Sequence, residues 1–264
     1  MDRGTPKTWR YHEYRNAEIE YLAELIDRFG VPDAPPAEEA IKKIKSRFEY
    51  LEISGGYIDV ADKTDHSPDA YYNLCFKLHH YLFKDILANA GQARQLGDAE
   101  GWTVYFGGTD VRTLQPKYEG THPSRIEEEL RVAADLLFGD YPPIESAVRF
   151  YAEMAAVHPF YDGNGRVGRL AVSIYLHNYD KYVRWGELDG RHGKFMRKLN
   201  CCHDVREKRM KVLEKVDKAE DGLYQRSTYQ QWDEWWGKVR DKYIGYLVNF
   251  FENYVHDNPD ENML

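Results

Sequence analysis

One twelve-residue segment, from His158 to Arg169, contains the residue types that phosphate chemistry requires. A histidine ordinarily titrates near neutral pH, so His158 is expected to exchange a proton with a substrate. Asp162 offers the hard oxygen ligands that Mg²⁺ prefers when the ion is shared with phosphates, although it could instead cap the following helix. Arg166 and Arg169 lie three residues apart, on one face of a helix, where both could reach the same polyphosphate. Arg169 could alternatively form only a surface ion pair.

The run Gly163–Gly165 between these residues predicts a backbone site for an anion. Glycine permits left-handed backbone, so successive N–H groups can turn inward. A helix follows directly, and the first turn of a helix adds free amides and a positive dipole end. Together with a base and a metal ligand, this site indicates phosphoryl or nucleotidyl transfer.

The surrounding elements are predicted to be helical. Pro142 and Pro143 open a helix that ends at His158, because Pro159 cannot continue it, and a second helix covers about 166–178. Apolar spacing of three and four predicts further helices at about 13–29, 37–53, 69–90, 194–217 and 228–256. One hairpin is expected, with strands at 102–106 and 111–114 and the loop at 107–110. The predicted fold class is all-α with one β-hairpin.

Composition restricts the function classes. The chain has 264 residues, with 42% hydrophobic and 30% charged residues, which is typical of a globular protein. The net charge of −8 argues against nucleic acid or an anionic membrane as partner, and taken alone it would argue against a polyphosphate ligand. No apolar run suits a membrane helix, and the N-terminus shows no secretory signal. Three cysteines cannot build a disulfide framework, so a cytoplasmic location is expected, or a host cytoplasm if the protein is a delivered effector.

The string HPFYDGNGR at 158–166, followed by Arg169, resembles the core motif HPFxDGNGR of the Fic (Fic/Doc) family. The segment Ala90-Gly-Gln-Ala-Arg94 resembles the family's AGxxR turn, and the predicted hairpin stands where the family has its flap. The resemblance implies a Fic-type helical core with one β-hairpin flap. It suggests an N-terminal helical segment over 1–66 packed on the core, a Fic domain over 67–217 and a C-terminal helical segment over 218–264.

The resemblance also implies an activity, the transfer of AMP from ATP to a Ser, Thr or Tyr hydroxyl of a target protein, with release of pyrophosphate. His158 would be the catalytic base and Asp162 would hold Mg²⁺ on the α- and β-phosphates. Arg166 would neutralise the pyrophosphate side and Arg169 would contact the γ-phosphate. The resemblance also implies that phosphates would be bound by Gly163, Asn164 and Gly165. The target would dock on the flap through Thr103, Val104, Tyr105 and Phe106.

Several alternatives stay open. A Lys replaces Gly165 in the Doc-like branch, where phosphate is transferred, so Gly165 favours nucleotidyl transfer. Transfer of UMP or phosphocholine, removal of AMP, and a non-catalytic binding module are not excluded. The hairpin could also be scaffolding.

The family's inhibitory motif, (S/T)xxxE(G/N), has no clear match. Only Ser124 has a Glu four residues on, and Glu129 follows it instead of Gly or Asn. The chain is therefore expected to be unrestrained, to be inhibited by an antitoxin-like partner, or to carry a divergent internal element.

Overall fold

The computed structural model describes residues 14–95, 104–109, 116–217 and 226–258. The described helices are α1 (Tyr14–Phe29), α2 (Ala37–Glu52), α3 (Gly56–Ala61), α4 (Pro68–Phe83), α5 (Ile126–Asp135), α6 (Pro143–Val157), α7 (Asn164–His177), α8 (Trp185–Asp189), α9 (His192–Asp217) and α10 (Arg226–Phe251). Two antiparallel strand pairs accompany them: β1 (Tyr105–Thr109) with β2 (Pro116–Glu119), and β3 (Lys181–Val183) with β4 (Val255–Asp257). The fold is all-α with a β-hairpin, which confirms the predicted class.

Helix α7 lies at the centre of the molecule. Its residues 170–176 are all buried, as are Val167 and Gly168, so nearly every face of the helix is covered. A helix that is apolar on all sides is stable only inside a core. Helices α3, α4 and α6 pack around it. The loop 158–163 therefore joins two core helices, α6 and α7, and its position is fixed at both ends.

The hairpin is present, but its second strand is not where the sequence predicts it. β1 pairs with β2 through Tyr105 opposite Glu119 and Thr109 opposite Pro116, with an irregular register between Phe106 and Thr109. Gly107 and Gly108 therefore belong to a strand, and the expected loop at 107–110 is wrong. The expected second strand, 111–114, lies outside the described residues. Pro116 explains the error, because proline argues against a strand unless it stands at the first position or on an edge.

The strands β3 and β4 were not predicted. They bring the C-terminal segment back to the residues that follow α7, with Tyr182 opposite His256. This pairing ends α10 at Phe251, earlier than the predicted helix end near 256. Each strand has only three residues, too few for an alternating pattern to be visible in the sequence.

The N-terminal helices pack on the core beside the loop. Leu22 and Leu25 of α1 are fully buried, and the Tyr21 hydroxyl donates a hydrogen bond to the Tyr161 carbonyl at 2.7 Å. Phe29 stacks on the Tyr161 ring at a centroid distance of 5.0 Å. The domain boundaries at 66/67 and 217/218 stay a prediction. Within the described part of the chain, no helix has the length and apolarity needed to cross a membrane.

Candidate active site

His158 is held in an unusual backbone conformation at the end of α6. Its φ of 51° lies in the left-handed region, which non-glycine residues rarely adopt. Its N–H still donates to the Met154 carbonyl at 3.0 Å, which closes the last turn of α6. Pro159 then prevents the helix from continuing. This turn carries the His158 side chain out of the helix direction and into the loop.

The environment of the His158 ring favours its neutral form. Burial lowers the pKa of His158 to about 4, although the hydrogen bond with the Ala155 carbonyl opposes this effect. The Arg94 charge lowers the pKa further, and the Asp162 charge raises it. Nδ1 lies 3.3 Å from the Ala155 carbonyl oxygen, so the proton of the neutral ring belongs on Nδ1. Nε2 is then left with its lone pair. A neutral imidazole with a free Nε2 can accept a proton.

Arg94 stabilises the strained turn at His158. This buried side chain donates to the His158 carbonyl through Nε at 2.9 Å and to the Thr121 carbonyl through Nη2 at 2.8 Å. Its backbone N–H donates to the Pro159 carbonyl at 2.9 Å. Two of these three bonds connect the AGxxR turn to the first two residues of the loop, and the third connects it to Thr121.

Phe160 and Asn164 lock the loop from inside. The Phe160 ring is buried and stacks on His79 at 4.0 Å. The Asn164 side chain is also buried; its Oδ1 accepts from the Phe160 N–H at 2.9 Å and its Nδ2 donates to the Phe160 carbonyl at 2.8 Å. The Asn164 side chain thus shapes the loop, and only its backbone amide is left for an anion.

The anion site is predicted at the start of α7, directly after Asp162 and Gly163. Gly163 has a φ of 80°, and a Cβ there would lie 2.6 Å from the Phe83 ring, so only glycine fits. Val167 is the first residue of α7 whose N–H closes a helical turn, by donating to the Gly163 carbonyl at 2.9 Å. The preceding N–H groups of the first turn have no partner within the helix. Gly165 borders open space, with no atom within 4 Å of a Cβ built on it.

Asp162 lies at the entrance to this turn and does not cap α7. Its Oδ1 accepts from the Gly163 N–H at 2.6 Å, and its Oδ2 lies 3.5 Å from Nη1 of Arg166. In the described part of the chain, no group of three or more His, Cys, Asp or Glu side chains could hold a metal. Mg²⁺ commonly binds through one or two carboxylates and completes its shell with substrate phosphates and water. The single carboxylate of Asp162 therefore fits Mg²⁺ that arrives with a phosphate substrate.

Both arginines of the segment are engaged by carboxylates from outside it. Arg166 donates through Nη2 to Glu18 of α1 at 2.6 Å. Arg169 donates through Nε to Glu52 of α2 at 2.9 Å and through Nη1 to Asp189 of α8 at 3.1 Å. Burial raises the pKa of Glu52 although Arg169 opposes this effect. The ion pair that the sequence offered as the alternative role of Arg169 is thus present. Arg169 is half-buried, however, and lies between α2 and α8.

The hairpin covers the histidine. The Phe106 ring stacks on the His158 imidazole at a centroid distance of 4.8 Å and an angle of 9°. Val104, directly before β1, is buried, and the backbone of Tyr105 pairs with that of Glu119. Thr103 lies outside the described residues. Of the four residues predicted to dock a target, Phe106 is the one whose side chain contacts the His158 ring.

Sequence reasoning missed the three carboxylates on the arginines. Phe48 stands where the inhibitory motif requires Ser or Thr, and Ile53 follows Glu52 instead of Gly or Asn, so a literal motif search passes over Glu52. Glu18 and Asp189 belong to no motif. The AGxxR resemblance did point to Arg94, but not to its bonds with the loop.

These features define a helical domain with a histidine, a carboxylate and an anion-binding helix start in one loop. Residues 70–176 match the Fic/DOC family model.

Relatives of known name or structure extend the comparison. The chain is 31% identical over 109 residues to a probable protein adenylyltransferase, y4lH, of Sinorhizobium fredii (strain NBRC 101917 / NGR234). The aligned residues cover 40% of this chain and 51% of that protein. The match thus spans about half the length of that curated relative.

Two solved structures from Bartonella are similar at low identity. The BepC protein of Bartonella tribocorum, solved with bound AMPPNP, is 13% identical and has a TM-score of 0.46, with 84% of this chain and 89% of that chain covered. The N-terminal Fic domain of a Bep effector from Bartonella sp. AR 15-3 is 16% identical with a TM-score of 0.49, covering 91% and 95%.

Proposed function

We propose that this protein transfers AMP from ATP to a hydroxyl side chain of a target protein and releases pyrophosphate. The observation that carries the proposal is the loop 158–169, where a neutral histidine, a carboxylate, an anion-binding helix start and two arginines meet. The match of residues 70–176 to the Fic/DOC family model and the name of the S. fredii relative support the same activity.

In this proposal His158 is the general base. Nδ1 is directed to the Ala155 carbonyl, so Nε2 accepts the proton of the target hydroxyl as its oxygen attacks the α-phosphorus. The bond from the α-phosphorus to the bridging oxygen breaks, and pyrophosphate leaves with the electron pair. The free amides at the start of α7 and the guanidinium of Arg166 bind the phosphate oxygens, and Arg169 binds the far end of the triphosphate.

Asp162 would hold Mg²⁺. The bound ion would neutralise phosphate charge and make the pyrophosphate a better leaving group. The hairpin would hold the target segment as an added strand, so that main-chain bonds set its register.

We further propose that the chain restrains itself through its arginines. Glu52 holds Nε of Arg169 and Glu18 holds Nη2 of Arg166, and a carboxylate on an arginine competes with a phosphate for the same donors. These contacts favour the third of the possibilities left open by the sequence, a divergent internal element. Because they are supplied by α1 and α2, an antitoxin-like partner is not required for this restraint.

The test is label transfer with Mg²⁺ present. The protein and its Glu52→Gln variant, in which the proposed restraint on Arg169 is weakened, are each incubated with a cell lysate and ATP labelled at either the α- or the γ-phosphate, in parallel with labelled UTP, GTP and CDP-choline. Incorporation of α-label, but not γ-label, into protein is expected. Transfer of γ-label, or preferential transfer from another donor, contradicts AMP transfer and supports the corresponding alternative.

A matched pair of histidine variants assigns the base. His158→Ala is expected to abolish transfer, whereas His122→Ala, at an exposed position outside the loop, is expected to retain it. Circular dichroism of both variants shows whether the fold is intact. Activity in folded His158→Ala protein would show that another group takes the proton.

A further inference from the structure

A groove of about 350 Å³ lies between α9 and α10, away from the loop 158–169. Its lining comes from one face of each helix: Lys194, Arg197, Lys198 and Cys201 of α9, and Tyr243 and Tyr246 of α10. We call this surface the basic groove, since three of its six lining residues are cationic and none is acidic.

The cations of the basic groove differ from Arg166 and Arg169 in their ion pairing. Arg166 and Arg169 are each engaged by carboxylates. Within the described ranges, by contrast, Lys194, Arg197 and Lys198 form no ion pair. Three uncompensated positive charges therefore stand together in a chain whose net charge is −8. Such a local patch attracts a negatively charged group, although the overall field of the protein is negative.

Tyr246 makes the basic groove more than a charged patch. Its side chain is 47% exposed, and it lies between two ammonium groups. Nζ of Lys198 is 5.8 Å from the ring centroid and Nζ of Lys242 is 6.0 Å from it, both within the range of cation–π contacts. The ring thus holds the two lysines over an accessible aromatic surface. Tyrosine and arginine are enriched at protein interfaces, where one end of the side chain packs and the other hydrogen-bonds.

We propose that the basic groove is a docking surface for an acidic, Asp- or Glu-rich segment of a partner protein. Carboxylates of such a segment would pair with Lys194, Arg197 and Lys198, and its aliphatic portions would pack on Tyr243 and Tyr246. A nucleic acid is the less favoured partner, because the chain as a whole carries a net charge of −8.

The position of the basic groove connects it to the hairpin. The hydroxyl of Tyr118, in β2, lies 2.9 Å from the Asn200 carbonyl oxygen and 2.7 Å from Oδ1 of Asp204. Both partners belong to α9, within about one turn of Lys198 and Cys201. The groove and the hairpin therefore contact neighbouring turns of the same helix, α9. If the transferase function proposed above is correct, the docked partner is the protein that receives AMP, whereas docking itself requires no nucleotide.

The experiment measures binding in the absence of nucleotide. Fluorescence anisotropy follows a fluorescein-labelled peptide of ten glutamates at low salt, with a peptide of ten glutamines and a labelled twelve-nucleotide single-stranded DNA as comparisons. We expect the glutamate peptide to bind, the glutamine peptide not to bind, and the DNA to bind more weakly. His158→Ala should bind the glutamate peptide as the unmodified protein does, which separates docking from transfer.

A charge-matched pair of variants locates the binding. Lys194→Ala/Lys198→Ala should weaken binding of the glutamate peptide by roughly fivefold or more, the sum of two partly exposed ion pairs. Lys42→Ala/Lys45→Ala removes two exposed lysines from α2 and should leave the affinity unchanged.

Three results overturn the proposal: no binding of the glutamate peptide, equal losses in both double variants, or tighter binding of the DNA through the same lysines. The last result would identify a nucleic-acid surface. If label transfer fails while the peptide binding and its loss are observed, the transferase function is wrong and the docking surface stands.

Discussion

Replacing Glu52 with Gln is expected to strengthen nucleotide binding. Glu52 is one of the two carboxylates on Arg169, and it engages Nε, while Asp189 engages Nη1. The substitution keeps the shape and the hydrogen-bonding capacity of the side chain but removes its charge. Arg169 then has one ionised partner, Asp189, instead of two to leave when it binds a phosphate.

The magnitude follows from the contact. A hydrogen bond between ionised groups contributes about 1–2 kcal/mol more than one to a neutral amide. Since Asp189 remains in place, only the Glu52 share is released, which corresponds to an affinity roughly 5- to 30-fold higher. Burial raises the pKa of Glu52, so ionising this carboxyl is costly in the folded state, and loss of its charge should not lower the melting temperature.

The assay is calorimetric titration with AMPPNP and Mg²⁺, on a His158→Ala background that prevents turnover. Glu49→Gln is the control, because Glu49 lies on the same helix but is exposed. An affinity within twofold of the parent would mean that Glu52 does not compete with phosphate. A weaker affinity would mean that Glu52 positions Arg169 for the nucleotide, and the proposed restraint would be wrong.

Three further predictions concern the loop itself. Gly163→Ala should lower the free energy of unfolding in urea by about 3 kcal/mol, because the new side chain adds left-handed strain and a clash with Phe83. Gly165→Ala lies in open space on α7 and should leave this free energy unchanged or raise it by up to about 1 kcal/mol. Equal effects of the two substitutions would contradict the geometry. Because burial lowers the pKa of His158 to about 4, the imidazole stays neutral as the pH falls through 6. We therefore expect kcat/KM to keep its plateau down to about pH 5 and to decline below it. A decline of kcat/KM that begins near pH 6.5 in folded protein would show that the base is solvated. Asp162→Asn should raise the Mg²⁺ concentration needed for half-maximal transfer by at least about tenfold, and an unchanged titration would place the metal elsewhere.

The sequence was informative where the chemistry is local. His158, Asp162 and the two arginines lie within twelve residues, so their spacing alone predicted one loop and one helix face. Phe160 follows the same local logic, because it is an apolar side chain in a polar loop and it is buried in the core.

The contacts of Glu18 and Glu52 with the two arginines could not be predicted in the same way. Glu18 is 148 residues from Arg166, and Glu52 is 117 residues from Arg169. Which carboxylate reaches an arginine depends on how α1 and α2 pack, and a sequence rich in surface Glu offers many equivalent candidates. The hairpin register failed for a different reason: two glycines resemble a loop, although in an irregular strand they serve as strand residues.

The parallel rings of Phe106 and His158 also have a magnetic consequence. Protons held above the face of an aromatic ring experience its ring current, so the carbon-bound protons of the His158 imidazole should resonate upfield of their usual NMR positions. Any displacement of the hairpin separates the two rings and returns these signals toward ordinary values. One histidine resonance would therefore reveal, in solution and without substrate, what fraction of the molecules has the base uncovered.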